Sequence, residues 1–183
     1  MTPELSATLA DDSVLVLRPV REDDVAVLHG LLASPDVGRW FHPRTLEQAH
    51  DEWLDPQALA WALEVGGRCV GLVQVEEEDD PDHRHAALQV FVSPEVWGRG
   101  IASAALAAAC DWLLGPRGHH RLTLDPERAN AAALRLAERL GFRRVGVLER
   151  YWWDHAFDRW ADAVLMERVG PAKPVEPGVE LAS

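Results

Sequence analysis

The chain has 183 residues, 48% hydrophobic and 26% charged, proportions typical of a soluble protein with one core. Its formal net charge of −12 argues against nucleic acid as a partner and suits a cationic substrate, although an acidic surface also serves solubility. No apolar run is long enough to span a membrane and no signal-peptide pattern is present, so we expect a cytoplasmic protein without a membrane partner.

The first third of the sequence predicts a strand followed by two helices. The β-branched run at 13–20 predicts the strand. Residues 21–34 open with acidic side chains, which suit a helix N-terminus, and then space their apolar residues on one face. A second helix is predicted over 45–54, with Thr45 as its N-cap.

The middle of the chain predicts three strands and then a helix. Two apolar runs flank the turn residues at 66–68, a pattern that indicates a hairpin. A charged loop is predicted over 76–85, followed by a mostly apolar, buried strand at 86–92. An alanine-rich helix begins close to residue 101.

The last part predicts a strand that ends at Asp125, a helix over about 129–140, and two closing strands. Gly141 is the expected C-cap of that helix. We therefore expect one domain over 1–169 and a flexible, Pro-rich tail over 170–183.

Two glycines bracket an arginine where the alanine-rich helix begins, in the sequence "VFVSPEVWGRGIASAAL". A helix N-terminus carries unpaired N–H groups and a partial positive charge. Glycines let a ligand approach that backbone closely. The segment from Gly98 to Gly100 therefore predicts a binding site for a phosphate-type anion.

Three phosphate-binding motifs compete for this segment, and a tight turn without a ligand is a fourth interpretation. The P-loop spacing and its lysine are absent. A dinucleotide fingerprint fits two glycines but meets Ser103 at the third position and lacks the βαβ context. The third pattern, [RQ]-x-x-G-x-[GA] of acetyl-CoA-dependent transferases, matches at Gly100 and Ala102, with Trp97 in the Arg/Gln position.

A second segment, "LDPERANAAALRLAERLGFRRVG", places Asn130 at the start of a helix and Gly141-Phe142 at its end. Together the two segments resemble the GNAT superfamily of N-acetyltransferases over about residues 13–169, nearest to the ribosomal-protein N-terminal (Rim-like) and aminoglycoside 6′-N-acetyltransferase-like branches. The resemblance implies an α+β (mixed α/β) fold whose central, mostly antiparallel mixed sheet has about seven strands and about four flanking helices.

The resemblance also implies acetyl-CoA as the cosubstrate. In the family, the strand before the loop splays from its neighbour and pairs with the pantetheine arm, and main-chain N–H groups hold the pyrophosphate. Asn130 lies at the family's cofactor-contacting asparagine, although it is also explained as a plain N-cap. The implied cofactor-binding residues are Val90, Phe91, Val92, Trp97, Gly98, Arg99, Gly100, Ile101, Ala102, Asn130 and Ala133.

The catalytic groups depart from the family pattern. The tyrosine that often protonates the leaving thiolate is Ala137 here, so water or Ser103 is expected to substitute. No strand carboxylate is present, which leaves Glu78 and His85 as the predicted bases unless they are simply solvated. Without a strong base, an α-amine of pKa about 7.7–8.0 is favoured over a lysine of pKa about 10.4.

Aromatic and acidic residues, three of them late in the chain, predict a wall for the amine acceptor, formed by Trp40, Tyr151, Trp152 and Asp154. Aromatics also mark dimer contacts, so a monomer and a homodimer both stay open. Cys69 and Cys110 fit no metal-binding spacing, and we expect reduced thiols and no metal.

The leading hypothesis is an acetyl-CoA-dependent N-acetyltransferase. The acceptor is a primary amine, either a protein or peptide N-terminus or a small cationic amine such as an aminoglycoside. The amine attacks directly in a ternary complex. A catalytically weak, CoA-binding sensor or interaction module is the alternative, and a nucleotide-binding α/β protein is a third interpretation.

Overall fold

A computed structural model describes residues 2–80, 82–155 and 157–171. Most of the predicted tail, 172–183, lies outside these residues. At its start, Gly170 donates a backbone hydrogen bond to the carbonyl of His120.

The described residues form eight strands and five α-helices. The strands are β1 Leu5–Thr8, β2 Val14–Pro19, β3 Leu59–Val65, β4 Arg68–Glu78, β5 His85–Val92, β6 Arg121–Leu124, β7 Arg143–Asp154 and β8 Arg159–Val169. The helices are α1 Glu22–Ala33, α2 Pro35–Gly38, α3 Leu46–Leu54, α4 Ile101–Leu114 and α5 Ala131–Arg139. A short 3₁₀ turn, Pro94–Val96, separates β5 from α4.

The predicted helix starts are explained by local hydrogen bonds. Thr45 and Gln48 cap α3 reciprocally, since each side chain accepts a hydrogen bond from the other residue's backbone N–H. Two short elements, β1 and α2, escaped prediction because each has four residues, too few to show a period.

The strands form one sheet in the order β1-β2-β3-β4-β5-β6-β8-β7. Among the described strands, only β5 and β6 pair in parallel, and the other neighbours are antiparallel. The predicted mixed, mostly antiparallel sheet is therefore confirmed. No described helix is long and apolar enough to cross a membrane.

Two hydrophobic clusters cover the two faces of the sheet. The larger cluster packs α4 and α5 against side chains that include Val73, Leu88 and Met166. The smaller packs α1 and α3 against Leu72 and Phe91. We call these the α4 face and the α1–α3 face.

The predicted charged loop is shorter than expected. β4 continues to Glu78 and β5 begins at His85, so only residues 79–84 connect them. The acidic end of β4 is held because Glu77 accepts hydrogen bonds from Arg117 at 2.6 and 2.8 Å. Glu77 also contacts His119 Nε2 at 2.5 Å. These partners are 40 or more positions away in sequence, so the local pattern contains no sign of them.

Candidate active site

A gap opens between the parallel strands β5 and β6. In the described chain their pairing is limited to Ala86–Leu122 and Ala87–Thr123. Beyond Ala87, β5 continues for five residues to Val92 along β4 alone. The sheet is therefore open at the C-terminal half of β5, as the family resemblance predicts for a pantetheine-binding strand.

The pairing with β4 decides which β5 groups face this gap. Ser93 donates its N–H to the Val70 carbonyl at 2.7 Å, which makes their pair hydrogen-bonded. Hydrogen-bonded and non-bonded pairs alternate along an antiparallel ladder, so Val90 and Val92 direct their backbone groups toward the gap. Phe91 directs its own toward β4, and its side chain packs on the α1–α3 face.

The start of α4 lies directly after this strand and is open to solvent. Gly98 and Gly100 have φ of 77° and 78°, and a Cβ added at either would meet no atom within 4 Å. No described side chain caps the helix. The first N–H groups of α4, at Ile101 and Ala102, therefore have no capping side chain among the described residues, and their polarity suits an anion.

Arg99 and Trp97 make contacts outside the loop. Arg99 Nη2 lies 2.8 Å from Asp11 Oδ2 in the β1–β2 turn. Hydrogen bonds from Ser13 and Arg99 lower the pKa of the exposed Asp11 carboxyl to about 2. Trp97 donates its indole N–H to the Val92 carbonyl at 3.2 Å, so it links the loop to the end of β5.

Asn130 is the N-cap of α5, because its Oδ1 accepts the Ala133 N–H at 3.0 Å. Its amide NH₂ is not used in that bond. Ser103 lies half-buried in the first turn of α4. These positions match the expected elements.

Glu78 and His85 lie on the closed side of the gap. They are cross-strand partners at the start of β5, about seven residues or roughly 23 Å along the strand from Val92. His85 Nδ1 is 2.8 Å from the His83 carbonyl. The structure therefore does not bring these two predicted bases to the open end of the gap.

Two aromatic residues predicted for the acceptor wall, Trp40 and Trp152, make ring contacts with neighbouring side chains. His42 and Trp152 meet edge to face, with ring centroids 5.2 Å apart. The Arg39 guanidinium lies 4.3 Å from the Trp40 ring centroid and 5.5 Å from that of Phe157. These contacts join the segment after α2 to the β7–β8 hairpin.

Asp154 has a different role from the one predicted. It is only 2% exposed, and it accepts hydrogen bonds from the Phe157 N–H and from Arg159 Nε at 3.3 and 3.4 Å. These partners within the hairpin make Asp154 a buried structural carboxylate, which corrects its assignment to the exposed wall.

Glu127 was missed by sequence reasoning. It bridges to Ala163, whose neighbours Val164 and Met166 face α4 and α5, so alternation places Glu127 on the α1–α3 face. The side chain is 5% exposed, lies 3.6 Å from Arg159 and lines a cavity of about 330 Å³. Burial, and then the charge of Asp154, raise the pKa of its carboxyl.

Asp125 and Tyr151 were not connected by the sequence either. Leu124 packs on the α4 face, so Asp125 faces the opposite side. Hydrogen bonding to Asp125, then burial, and then the charges of Asp125 and Glu76 raise the pKa of Tyr151 to about 12. The sequence signal that could have pointed to Asp125 is its place directly after a predicted strand, because ligands bind beyond the carboxyl ends of parallel strands.

No three described His, Cys, Asp or Glu side chains gather as a metal site would require. Both cysteines are free thiols.

Comparison with known proteins identifies the family. The model of an acetyltransferase (GNAT) domain matches residues 14–143. Spermidine N(1)-acetyltransferase of Escherichia coli (strain K12) is 30% identical over 139 residues, 72% of this chain and 74% of that protein. Mycothiol acetyltransferase of Salinispora arenicola (strain CNS-205) is 29% identical over 132 residues, 69% of this chain but 43% of its own length.

Among solved structures, Mycobacterium smegmatis RimJ in complex with CoA-disulfide superposes with a TM-score of 0.77 at 22% identity, covering 91% of this chain and 87% of that chain. The fold expected from the sequence is thus confirmed. With the family model and the spermidine relative, these findings show that the chain belongs to the GNAT acetyltransferase family and is an N-acetyltransferase.

Proposed function

We propose that the protein transfers the acetyl group of acetyl-CoA to a primary amine of a small polycationic molecule. The observation that carries the proposal is a pair of carboxylates, Glu76 and Asp125, on the α1–α3 face beside the gap. Among the described residues neither has a cationic partner. A net charge of −12 for the chain reinforces the preference for a cation.

The residues around the gap suit coenzyme A. The N–H groups from Gly98 to Ala102 would hold its diphosphate. The backbone groups of Val90 and the N–H of Val92, whose carbonyl already accepts from Trp97, would pair with its pantetheine arm. Acetyl-CoA supplies the activated thioester carbonyl. The amine then attacks that carbonyl directly, without a covalent intermediate on the protein.

Glu127 is the group we propose as the general base. A lysine-like amine must lose its proton at a cost of about 4–5 kcal/mol at pH 7. A carboxylate whose pKa is raised by burial accepts a proton more readily than a solvated one. The spermidine acetyltransferase relative supports an acceptor of this chemical class.

An assay of CoA thiol release tests the proposal. The protein is mixed with acetyl-CoA and, in turn, with spermidine, a monoamine, an aminoglycoside and a peptide with a free α-amine. We expect the highest kcat/KM with the polyamine. Preference for the peptide would instead support the Rim-like hypothesis. Tight CoA binding without turnover on any amine would overturn the proposal in favour of a sensor module.

We also propose a cytoplasmic location, supported by the two free thiols. A monomer and a homodimer both stay predictions. The molar mass in solution, measured by light scattering, decides between them.

A further inference from the structure

Glu127 is a buried carboxylate without hydrogen-bond donors of its own. Its side chain is 5% exposed, and among the described residues no N–H or O–H group donates to either carboxylate oxygen. Its backbone is fixed, because the carbonyl accepts from the Asn130 N–H at 2.8 Å and a bridge joins the residue to Ala163. Buried polar groups are normally hydrogen-bonded, so the two oxygens keep their capacity for a ligand in the adjacent cavity of about 330 Å³.

Two other buried carboxylates of the chain show the contrast. Asp154 accepts hydrogen bonds from within its own hairpin, one of them from Arg159 Nε at 3.4 Å. Asp24 is held by both terminal nitrogens of the Arg18 guanidinium, at 2.6 and 2.9 Å. Such a bidentate pair leaves the carboxylate little capacity to take a proton. Glu127 has neither arrangement.

Arg159 is, among the described residues, the one cation within 4 Å of the Glu127 carboxylate. Its Nη2 lies 3.6 Å from Glu127 Oε1. The same guanidinium lies 3.4 Å from Asp154 through Nε and 5.3 Å from the ring centroid of Phe157. These contacts fix the guanidinium beside Glu127. At 3.6 Å it acts on the carboxylate by its charge and leaves the lone pairs of the oxygens free.

Charged groups from three further parts of the fold act on Glu127. They are Asp154 of β7, Arg159 of β8 and Arg39 from the segment after α2. Burial, and then the charge of Asp154, raise the pKa of the Glu127 carboxyl, whereas the charges of Arg159 and then Arg39 lower it. The arginines therefore oppose what burial alone would do to the carboxylate.

We propose that Arg159 is a positioning residue for Glu127: its guanidinium keeps the buried carboxylate ionised without occupying the lone pairs that take the proton. This inference rests on the proposed function, in which Glu127 is the general base. One proton passes from the acceptor's ammonium to a Glu127 oxygen. The carboxylate becomes the acid, and the ammonium becomes the amine that attacks acetyl-CoA. Arg159 exchanges no proton, since a guanidinium stays charged throughout.

A double-mutant cycle of thermal stability tests the pair without any assay of activity. Arg159→Gln is made in the wild type and in Glu127→Gln, at pH 8. In the wild type it leaves a buried charge without its counter-ion, whereas in Glu127→Gln that charge is absent. We expect the melting temperature to fall by about 2–4 °C more in the wild-type background. Asp154 is present in both backgrounds, so the loss of its partner cancels. Equal shifts would overturn the pairing.

Arg128→Gln is the matched control of the cycle. Arg128 lines the same cavity but lies 3.6 Å from Asp162, so it should shift the melting temperature equally in both backgrounds. Equal coupling of Glu127 to both arginines would show a general effect of positive charge and overturn the specific pairing. Should Arg159→Gln alone fail to fold, the cycle is made in an Asp154→Asn background, where removal of the guanidinium leaves no second unpaired carboxylate.

The pH dependence of kcat/KM tests the role. In Arg159→Gln the Glu127 carboxyl should keep its proton to a higher pH, so the activity should fall most at the acidic end. Relative to the wild type, which cancels the protonation of the acceptor itself, we expect kcat/KM to be about 10-fold lower at pH 6.5 and within about 3-fold at pH 9. Arg159→Lys keeps the charge and should restore most of the loss at pH 6.5. A loss of the same size at both pH values would identify a structural role and overturn the proposal.

The two levels fail separately. Absence of turnover in the wild type on every amine would refute the proposed function, while the stability cycle would still decide whether Arg159 holds Glu127. Coupling in the cycle together with a pH-independent loss of activity would keep the pair and overturn its role.

Discussion

Single residues decide whether the start of α4 binds an anion. Gly100 combines a left-handed φ with open space around its Cβ position, so a side chain there would project from the N–H groups that we assign to the diphosphate. A carboxylate would add repulsion as well as bulk.

We therefore expect Gly100→Asp to lose CoA binding in calorimetry while it stays folded. Gly67→Asp is the matched control, because Gly67 has a φ of 76° and also has no atom within 4 Å of a built Cβ. Gly67→Asp therefore introduces the same backbone strain as Gly100→Asp, but in the β3–β4 turn and away from the start of α4. Retention of CoA affinity in Gly100→Asp would contradict the assigned site.

Glu127 is the second residue whose proposed role, that of general base, a single substitution tests. Glu127→Gln should lower kcat by about 10²–10⁴, the usual contribution of a general base. The pKa of Glu127 is raised in the folded state, so its charged form opposes folding at pH values above the unfolded pKa. The uncharged glutamine of the variant should therefore leave the melting temperature at pH 7–8 equal or higher. Reduced activity together with a lower melting temperature would indicate a structural role instead.

At the scale of elements, a partly buried ion pair ties the end of β4 to the segment that follows α4. Glu77 accepts from Arg117 and His119, and the His119 side chain is 0% exposed. The hydrogen bond from Arg117 is the main cause that lowers the pKa of Glu77 from 4.5 to about 2. This contact orders the acidic strand end that the sequence pattern presents as a loop.

Glu77→Gln should lower the free energy of unfolding at pH 7 by about 1–3 kcal/mol, since it weakens a partly buried charged network. Because the pKa of Glu77 is lower in the folded state, its ionised form stabilises the fold at pH values above the unfolded pKa of 4.5. That contribution disappears as the pH falls through the folded pKa of about 2. Urea unfolding of wild type and variant at pH 7 and pH 3 should therefore show a smaller difference at pH 3. An equal difference at both pH values would exclude this linkage.

At the scale of the whole molecule, the net charge of −12 should attract polycations through long-range electrostatics. We expect kcat/KM for spermidine to fall several-fold between about 0.02 and 0.5 M salt, because the Debye length shortens over this range. A monoamine acceptor, which carries less charge, should show a weaker dependence in the same assay. Parallel curves for the two amines would show that steering plays no part.

The sequence by itself determined the features that local chemistry specifies. The glycines at 98 and 100, the Thr45 cap and the apolar strand before α4 each depend on neighbours within a few positions. For that reason the helix starts, the central strand and the family were predictable, whereas the four-residue β1 was too short to show a pattern.

Only the tertiary structure decided which charges meet. Asp125 affects the pKa of Tyr151 from another strand, Glu127 lies 3.6 Å from Arg159 and near the charge of Asp154, and Glu78 with His85 lies on the closed side of the gap. The physical reason is that burial and Coulomb interactions depend on distances in space, which strand order and register establish between residues far apart in the chain.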